Sequence, residues 1–224
     1  MNHISKIYFY GFGMINESLK DKAFQRIRSD IVSNVLTPGQ PLNERVLSEQ
    51  LKISKTPIRE AIQLLYKEGF VQVIPQKGCF VSPITLNDIR EIMQIREGLE
   101  PIAAGDAASK CDTQKLALFE EEFNSIAKKP SDFETSSDLG KRFHNFLIES
   151  TRNQRLIELL SNINIHLDRI RVIFSVQYNS DYHHQILSEH LAVLNAVKEK
   201  DKMSAEKRMR AHILHFWEVL RALL

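Results

Sequence analysis

The stretch SKTPIREAIQLLYKEGFVQVIPQKGCFV, residues 54–81, decides the fold of the first part of this chain. Its first half predicts a helix with one apolar face. The residues of that face are Ile58, Ile62 and Leu65. Ser54 is expected to cap this helix, because a short polar side chain accepts the free amide hydrogens of a first turn. Pro57 fits the helix because it lies in the same first turn.

The second half of the stretch predicts a β-hairpin. Val71 and Val73 belong to one apolar segment, and Phe80 and Val81 belong to the next. The segments lie on either side of residues 76–78, which end in a glycine. Two short apolar segments around such a turn are typical of paired strands.

Two more helices are predicted before this stretch. Apolar residues first recur at every fourth position, which indicates an amphipathic helix. They are Leu19, Ala23, Ile27, Ile31 and Val35. Asn43 is placed to cap a second, short helix. The order helix, helix, helix, hairpin predicts a winged helix over residues 19–84, preceded by an N-terminal extension over residues 1–18.

The chain changes character after Pro83, because prolines and glycines become rare and long helical patterns follow. Six helices are predicted, over residues 86–109, 113–128, 131–150, 153–177, 181–199 and 202–223. Asp181 and Ser204 are candidates for caps or first-turn residues of the last two. The fold class predicted is mostly α: a winged helix-turn-helix, then an all-α antiparallel helical bundle over residues 85–224.

Composition excludes several classes of protein. Of the 224 residues, 43% are hydrophobic and 26% are charged, which is typical of globular proteins. Two cysteines, Cys79 and Cys111, are too few for a disulfide framework and lack zinc-site spacing, so a cytoplasmic location is expected. No stretch has the pattern of a signal peptide or a membrane span.

Charge is distributed unevenly along the chain. Residues 1–84 carry 11 Lys and Arg against 7 Asp and Glu, whereas residues 85–224 carry 19 against 21. A basic first part followed by a slightly acidic remainder indicates contact with nucleic acid at one end only.

Four motifs lie within the predicted winged helix: Leu42-Asn43-Glu44-Arg45, SKTPIREA at residues 54–61, Leu65, and Glu68-Gly69-Phe70. Together they resemble the winged helix of the GntR family of regulators. The resemblance implies that double-stranded operator DNA is the partner. It also implies that Arg45 and the wing tip, Lys77-Gly78, reach the DNA.

Physical chemistry supports the same surface. A recognition helix enters the major groove by its N-terminal end, and an arginine fork can donate two hydrogen bonds to guanine. The DNA-contact candidates are Arg45, Lys55, Thr56, Arg59, Gln63, Lys77 and Gly78. Lys55 stands where the family usually has arginine, so a bidentate base contact is not expected there. As an isolated pair, Lys55 and Arg59 would indicate a solvated helix face, and it is the whole set of motifs that favours DNA contact.

The second part contains Arg96 and Glu100, Phe143-His144 with Asn153, and Glu189-His190, Val193, Ala196 and His212. These residues at these spacings resemble the helical C-terminal domain of the FadR branch of GntR regulators. In many such domains an aspartate four residues before the middle histidine joins three histidines around a divalent metal. That position here is Gly140.

The resemblance therefore implies a metal site of three histidines. They are His144, His190 and His212. Imidazole suits zinc or nickel, and three histidines with a water or a ligand carboxylate make an open site. Each histidine could instead be a buried core residue. We expect Gly140→Asp to restore a fourth ligand and tighten metal binding.

Arg96 is the candidate for binding an effector carboxylate, because a guanidinium matches a carboxylate with two charge-assisted hydrogen bonds. The alternative is an intrahelical ion pair with Glu100, at i, i+4 spacing. Arg169 and Arg171 are further candidates.

These observations predict a homodimeric transcription regulator, acting as a repressor by default, that binds a palindromic operator and responds to a small-molecule carboxylate. No catalysis is required. One alternative is a metal-dependent enzyme in which the three histidines activate water, although no His-Glu-x-x-His motif is present. The other is an architectural DNA-binding dimer without a ligand.

Overall fold

The computed structural model describes residues 18–128, 133–174 and 180–222. Contacts divide the chain into two compact units, Met1–Pro83 and Ile84–Leu224, which we call the winged-helix unit and the helical unit. The N-terminal extension expected over residues 1–18 lies outside the described residues, except for Ser18.

The winged-helix unit has three helices and a small sheet. Its elements are α1 (Leu19–Val32), β1 (Pro41–Leu42), α2 (Glu44–Leu51), α3 (Lys55–Lys67), β2 (Val71–Ile74) and β3 (Gly78–Val81). The strand order is β1-β3-β2, with both pairs antiparallel. Pro41 lies opposite Phe80, and Val71 opposite Val81. The hairpin was predicted, whereas β1 was not, because two residues carry no periodic pattern.

The amphipathic pattern of α1 predicted its core side chains but not its ends. Ala23, Ile27 and Ile31 are fully buried, as expected of an apolar face. Leu19 is 53% exposed, and Val35 lies beyond the end of the helix and is 67% exposed. The predicted end at Val35 was therefore wrong by one turn.

The two predicted caps behave differently. The Asn43 side chain accepts hydrogen bonds from the amides of Arg45 and Val46, at 2.9 and 3.3 Å, and so caps α2. Ser54 occupies the N-cap position of α3, but its side chain makes no capping hydrogen bond, which corrects the role expected for it.

The helical unit consists of long helices. They are α4 (Leu86–Lys110), α5 (Thr113–Lys128), α6 (Phe133–Ser150), α7 (Gln154–Phe174), α8 (Ser180–Lys198) and α9 (Lys202–Ala222). The mostly α fold class is thereby confirmed. Residues 131–132 and 175–177, expected to be helical, lie outside the described residues. Asp181 lies in the first turn of α8, and Asp201, not Ser204, caps α9 by accepting from the Ser204 amide at 3.0 Å.

Helix α4 is the centre of the helical unit, packing against α6, α7, α8 and α9. Thr85 and Asp88 form a capping box that fixes its start. The main core holds large side chains from several helices, among them Phe123, Phe143 and Leu194, all fully buried. Phe123 and Phe143 of this core lie against the ring of His190. Among the described residues, no helix is long and apolar enough to cross a membrane.

Candidate functional site

The exposed face of α3 carries most of the DNA-contact candidates. Its apolar side, Ile58, Ile62 and Leu65, is buried in the winged-helix unit. The opposite side leaves four predicted residues exposed, namely Lys55, Thr56, Arg59 and Gln63. The helical spacing therefore puts the core residues and the DNA-contact candidates on opposite faces of α3.

Arg59 is paired with Glu44 at the start of α2. Its Nε donates to Glu44 Oε1 and Oε2 at 2.9 and 3.2 Å, and its Nη2 donates to Oε2 at 2.8 Å. The hydrogen bond to Arg59 lowers the pKa of Glu44 despite its partial burial, so the carboxylate stays charged. Arg45 pairs instead with Glu49 within α2, at 3.0 Å.

The wing tip is a tight turn between β2 and β3. The Lys77 amide donates to the Ile74 carbonyl at 3.0 Å, and both Lys77 and Gly78 are exposed. Gly78 has a φ of +107°, which disfavours any residue with a Cβ. Since a Cβ there would meet nothing within 4 Å, the requirement for glycine is backbone conformation and not crowding.

The three predicted metal ligands converge inside the helical unit. We call His144, His190 and His212 the histidine cluster; they come from α6, α8 and α9 and are at most 5% exposed. Nε2 of His144 lies 3.1 Å from Nε2 of His190 and 3.2 Å from Nε2 of His212. One ligand atom from each histidine lies within 4.8 Å of the others.

Two carboxylates contact the cluster on the Nδ1 side of its rings. Glu100 on α4 contacts Nδ1 of His144, and its other oxygen pairs with Nε of Arg96. Glu189 on α8 contacts Nδ1 of His212 at 2.9 Å and Nδ1 of His215 at 2.8 Å. With Nδ1 of His144 and of His212 turned to a carboxylate, Nε2 of these two rings faces the centre of the cluster.

Burial keeps the imidazoles of the cluster neutral. It lowers the pKa of His144, although the charge of Glu100 opposes the shift. Burial and the neighbouring histidines hold the pKa values of His190 and His212 well below the usual range. Burial would raise the pKa of Glu100, but Arg96 and His144 together hold it well below its usual range. The site thus presents neutral nitrogen ligands and one buried, ionised carboxylate.

The donor set fits a divalent metal. A neutral histidine that donates from Nδ1 has only a lone pair on Nε2, so His144 and His212 would bring two lone pairs within 3.2 Å. Such a pair is favourable only with a cation or a proton between the nitrogens, and the lowered pKa values disfavour the proton. The spacing is also near the roughly 3.3 Å edge of a tetrahedron with Zn–N bonds of about 2.0–2.1 Å.

Gly140 makes room for His190. A Cβ at position 140 would lie 2.8 Å from Cε1 and 3.3 Å from Nε2 of the His190 ring. That ring also stacks on Phe123, with centroids 5.5 Å apart. The space of the family's aspartate is therefore partly taken by an imidazole, and the expectation that Gly140→Asp would tighten metal binding does not fit this geometry.

A small cavity adjoins the histidine cluster. It is lined by Arg96, Ser136, Ser137, Gly140, Arg171, His183, Ile186, Leu187, His190, His212 and Phe216. Two arginines but no carboxylate belong to this described lining. Its volume is about 50 Å³, room for about three to four water molecules or a carboxylate group. The cavity suits an anionic group.

Arg96 forms the ion pair that was the alternative interpretation, and its role in binding an effector stays a prediction. It is 1% exposed and pairs with Glu100, as the alternative interpretation expected, and it also lines the cavity. Arg171 lines the cavity as well, whereas Arg169 is buried elsewhere, with a pKa that burial lowers to about 10. His183 lines the cavity too.

Several functional contacts were not predicted from the sequence. Glu44 and Arg59 lie 15 residues apart, Glu189 and His212 lie 23 apart, and Glu100 and His144 lie 44 apart. All three pairs join different helices, so no spacing within one helix could signal them. Only the packing of the helices brings these carboxylates to their partners.

Each of the two units matches a known protein family. Residues 19–81 match the family of bacterial regulatory proteins called gntR, and residues 91–215 match the FCD domain. The HTH-type transcriptional regulator YdhC of Bacillus subtilis (strain 168) is 29% identical over 207 residues, or 90% of each chain. The HTH-type transcriptional repressor RspR of Escherichia coli (strain K12) is 27% identical over 207 residues, covering 92% of this chain and 90% of RspR.

A solved structure shares the fold. E. coli McbR/YncC superposes with a TM-score of 0.75 at 22% identity, covering 92% of this chain and 98% of the other. The FCD match alone spans more than half of the chain, and the resemblance noted from the sequence is confirmed. These similarities are to regulators and not to enzymes. The chain belongs to the GntR family of bacterial regulatory proteins, as a DNA-binding transcription regulator whose second domain is an FCD domain.

Proposed function

We propose that this regulator is a homodimeric repressor that binds a palindromic operator and releases it when a small organic acid binds beside a metal ion in the histidine cluster. The observation that carries the sensor part is the approach of two Nε2 atoms, from His144 and His212, to 3.2 Å. Both rings have Nδ1 turned to a carboxylate, so each Nε2 carries a lone pair. A cation between the two Nε2 atoms would bind both lone pairs.

The metal would be held by His144, His190 and His212, with zinc or nickel as the ions that imidazole ligands suit. Such an ion supplies a positive centre and an open coordination position to an anionic ligand. Glu100 and Glu189 hold the rings of His144 and His212 in orientation from outside the ligand set. Gly140 contributes no side chain, so an anionic fourth ligand would come from the effector or from water.

The effector is proposed to be a small carboxylic acid. Arg96 and Arg171 line the cavity, and the room there suits a carboxylate group. Each arginine also pairs with a carboxylate outside the lining, Glu100 and Asp168, so the effector would share these guanidinium groups. Since the Nε edge of Arg96 is engaged by Glu100, the contact to the effector would use its terminal nitrogens. Ser136 and Ser137 supply hydroxyl groups at the same cavity.

The DNA part of the proposal rests on the exposed face of α3 and on the wing. Arg59, Lys55, Thr56 and Gln63 would contact the major groove, and Lys77 with Gly78 would contact the backbone or the minor groove. Two such faces in a homodimer would match two half-sites of a palindrome. Repression is proposed because the similar RspR is named a repressor.

Elemental analysis of protein purified without chelators tests the metal. We expect about one equivalent of a divalent transition metal per chain in the wild type and a much smaller amount in His190→Ala. A wild-type protein that holds no metal and gains none from added zinc or nickel would contradict the proposed site. Native mass spectrometry of the same sample measures the homodimer and any co-purified acid.

A ligand-free architectural role is the alternative for the helical unit. Under that alternative no metal or carboxylic acid would change either the melting temperature or the affinity for DNA. Under our proposal both quantities change together, because a ligand that prefers one state shifts the equilibrium toward that state.

A further inference from the structure

Two exposed arginines of the winged-helix unit are paired with carboxylates in different ways. Arg45 and Glu49 lie one turn apart on α2, make one contact of 3.0 Å and are 77% and 66% exposed. Arg59 and Glu44 join two helices through three contacts of 2.8–3.2 Å, with side chains 62% and 32% exposed. The second pair is the more constrained, since more contacts fix the orientation of the guanidinium.

Glu44 occupies only one edge of the Arg59 guanidinium. That edge is formed by Nε and Nη2. The second edge is formed by Nη1 and the other N–H group of Nη2, and it makes no hydrogen bond or ion pair to any residue that the structure describes. Two parallel N–H groups on one edge are what O6 and N7 of guanine accept. The pairing with Glu44 therefore leaves one complete base-reading edge available.

Glu44 is itself well anchored. It is the first residue of α2, where the helix dipole favours a negative charge, and Asn43 fixes the backbone by capping that helix. A free arginine side chain has many rotamers, and ordering it costs entropy on binding. Anchoring by Glu44 orders the side chain before DNA arrives.

We propose that Glu44 is a positioning residue for base recognition: it holds Arg59 so that the Nη1–Nη2 edge meets a guanine, and its charge discourages Arg59 from binding phosphate instead. The inference rests on the proposed role of Arg59 in DNA contact. Phosphate contacts raise affinity for every sequence, whereas base-edge contacts discriminate between sequences. Glu44 thus lowers the affinity for random DNA and raises the preference for the operator.

Selection of binding sites from random duplex DNA tests this role. The full-length wild type is compared with Glu44→Gln, Glu49→Gln and Arg59→Ala at fixed salt, and the preference at each base pair is counted. Glu49→Gln is the matched control, because it removes the same charge from the same helix and frees the other exposed arginine. Circular dichroism melting of each variant reports the fold, which an exposed substitution leaves intact.

We expect Glu44→Gln and Arg59→Ala to lose the preference at the same guanine, each by about ten- to a hundredfold. Glu49→Gln is expected to keep that preference, and both glutamine variants are expected to bind random DNA more tightly through the lost charge. If Glu44→Gln keeps every base preference, as Glu49→Gln does, Glu44 has no positioning role. If Arg59→Ala keeps every preference while the wild type selects an operator, Arg59 does not read a base. This inference is then wrong, and the proposed operator binding still holds. A wild type that selects no sequence would overturn the proposed operator binding as well.

Discussion

The winged-helix unit and the helical unit place their functional side chains in opposite surroundings. The Arg59 and Arg45 side chains are 62% and 77% exposed, whereas the three histidines of the cluster are at most 5% exposed. In the first unit, the proposed DNA-contact side chains lie outside the core, so we expect their substitution to change binding and leave stability alone. In the second, the proposed metal ligands are part of the core, so we expect stability itself to report whether the site is occupied.

The strongest test of this contrast is Glu100→Gln. This substitution keeps the shape but leaves Arg96 as a buried charge without its carboxylate and removes the orienting contact to His144. Breaking a buried pair by removing one partner typically costs about 3–5 kcal/mol, so we expect a loss of that order in the free energy of unfolding in urea.

The control for Glu100→Gln is Glu97→Gln on the same helix. Glu97 pairs with Arg210 at the surface, where side chains are 33% and 48% exposed, and such pairs are worth about 0–1 kcal/mol. Equal losses for the two variants would show that the buried network around Glu100 does not stabilise the helical unit.

Metal addition gives the next largest effect. At a free zinc or nickel concentration a hundred times the dissociation constant, the native state should gain about 2.7 kcal/mol, seen as a higher melting temperature. His190→Ala should abolish most of that rise. His184→Ala, an exposed histidine on the same helix, should keep it. An equal rise in both variants would place the metal outside the histidine cluster.

Arg59→Ala should affect DNA binding only. We expect operator affinity to fall by about ten- to a hundredfold in a titration at fixed salt, because a base contact is lost. The melting temperature should stay within error, since Arg59 lies outside the core. Arg26→Ala removes another exposed arginine that pairs with a carboxylate, Asp30, and should leave most of the affinity. Similar losses for the two variants would argue that Arg59 supplies only positive charge.

The smallest expected effect separates two helix glycines of the helical unit. Gly98→Ala on α4 meets open space and should stabilise the protein by about 1 kcal/mol, the usual gain from replacing glycine inside a helix. Gly140→Ala should not show this gain, and it should weaken the metal-dependent rise, because its Cβ would press on the His190 ring. Equal stabilisation by both substitutions would mean that the ring moves aside freely.

Local patterns in the sequence predicted most of the fold. The spacing of Ala23, Ile27 and Ile31 identified the buried face of α1, and the change of composition after Pro83 marked the start of the long helices. The two residues of β1 were missed, because their place in the sheet depends on pairing with β3 and not on their own periodicity.

The candidate sites were predicted less completely. His144, His190 and His212 were identified through the resemblance to a family, and the structure brings them together. The carboxylates that contact these histidines and Arg59 come from other helices. Only tertiary packing brings each carboxylate to its partner. The lack of space at Gly140 could not be predicted from the sequence, since it depends on the His190 ring from another helix.

The central claim is that occupancy of the buried site controls binding at the exposed face. Its most direct test is the dissociation constant for a selected operator, measured with zinc or nickel and a panel of small carboxylic acids. We predict that at least one acid weakens binding by about 5- to 150-fold in the wild type, and that His190→Ala binds the operator but no longer responds. An operator affinity that no metal and acid pair changes in the wild type would contradict the account.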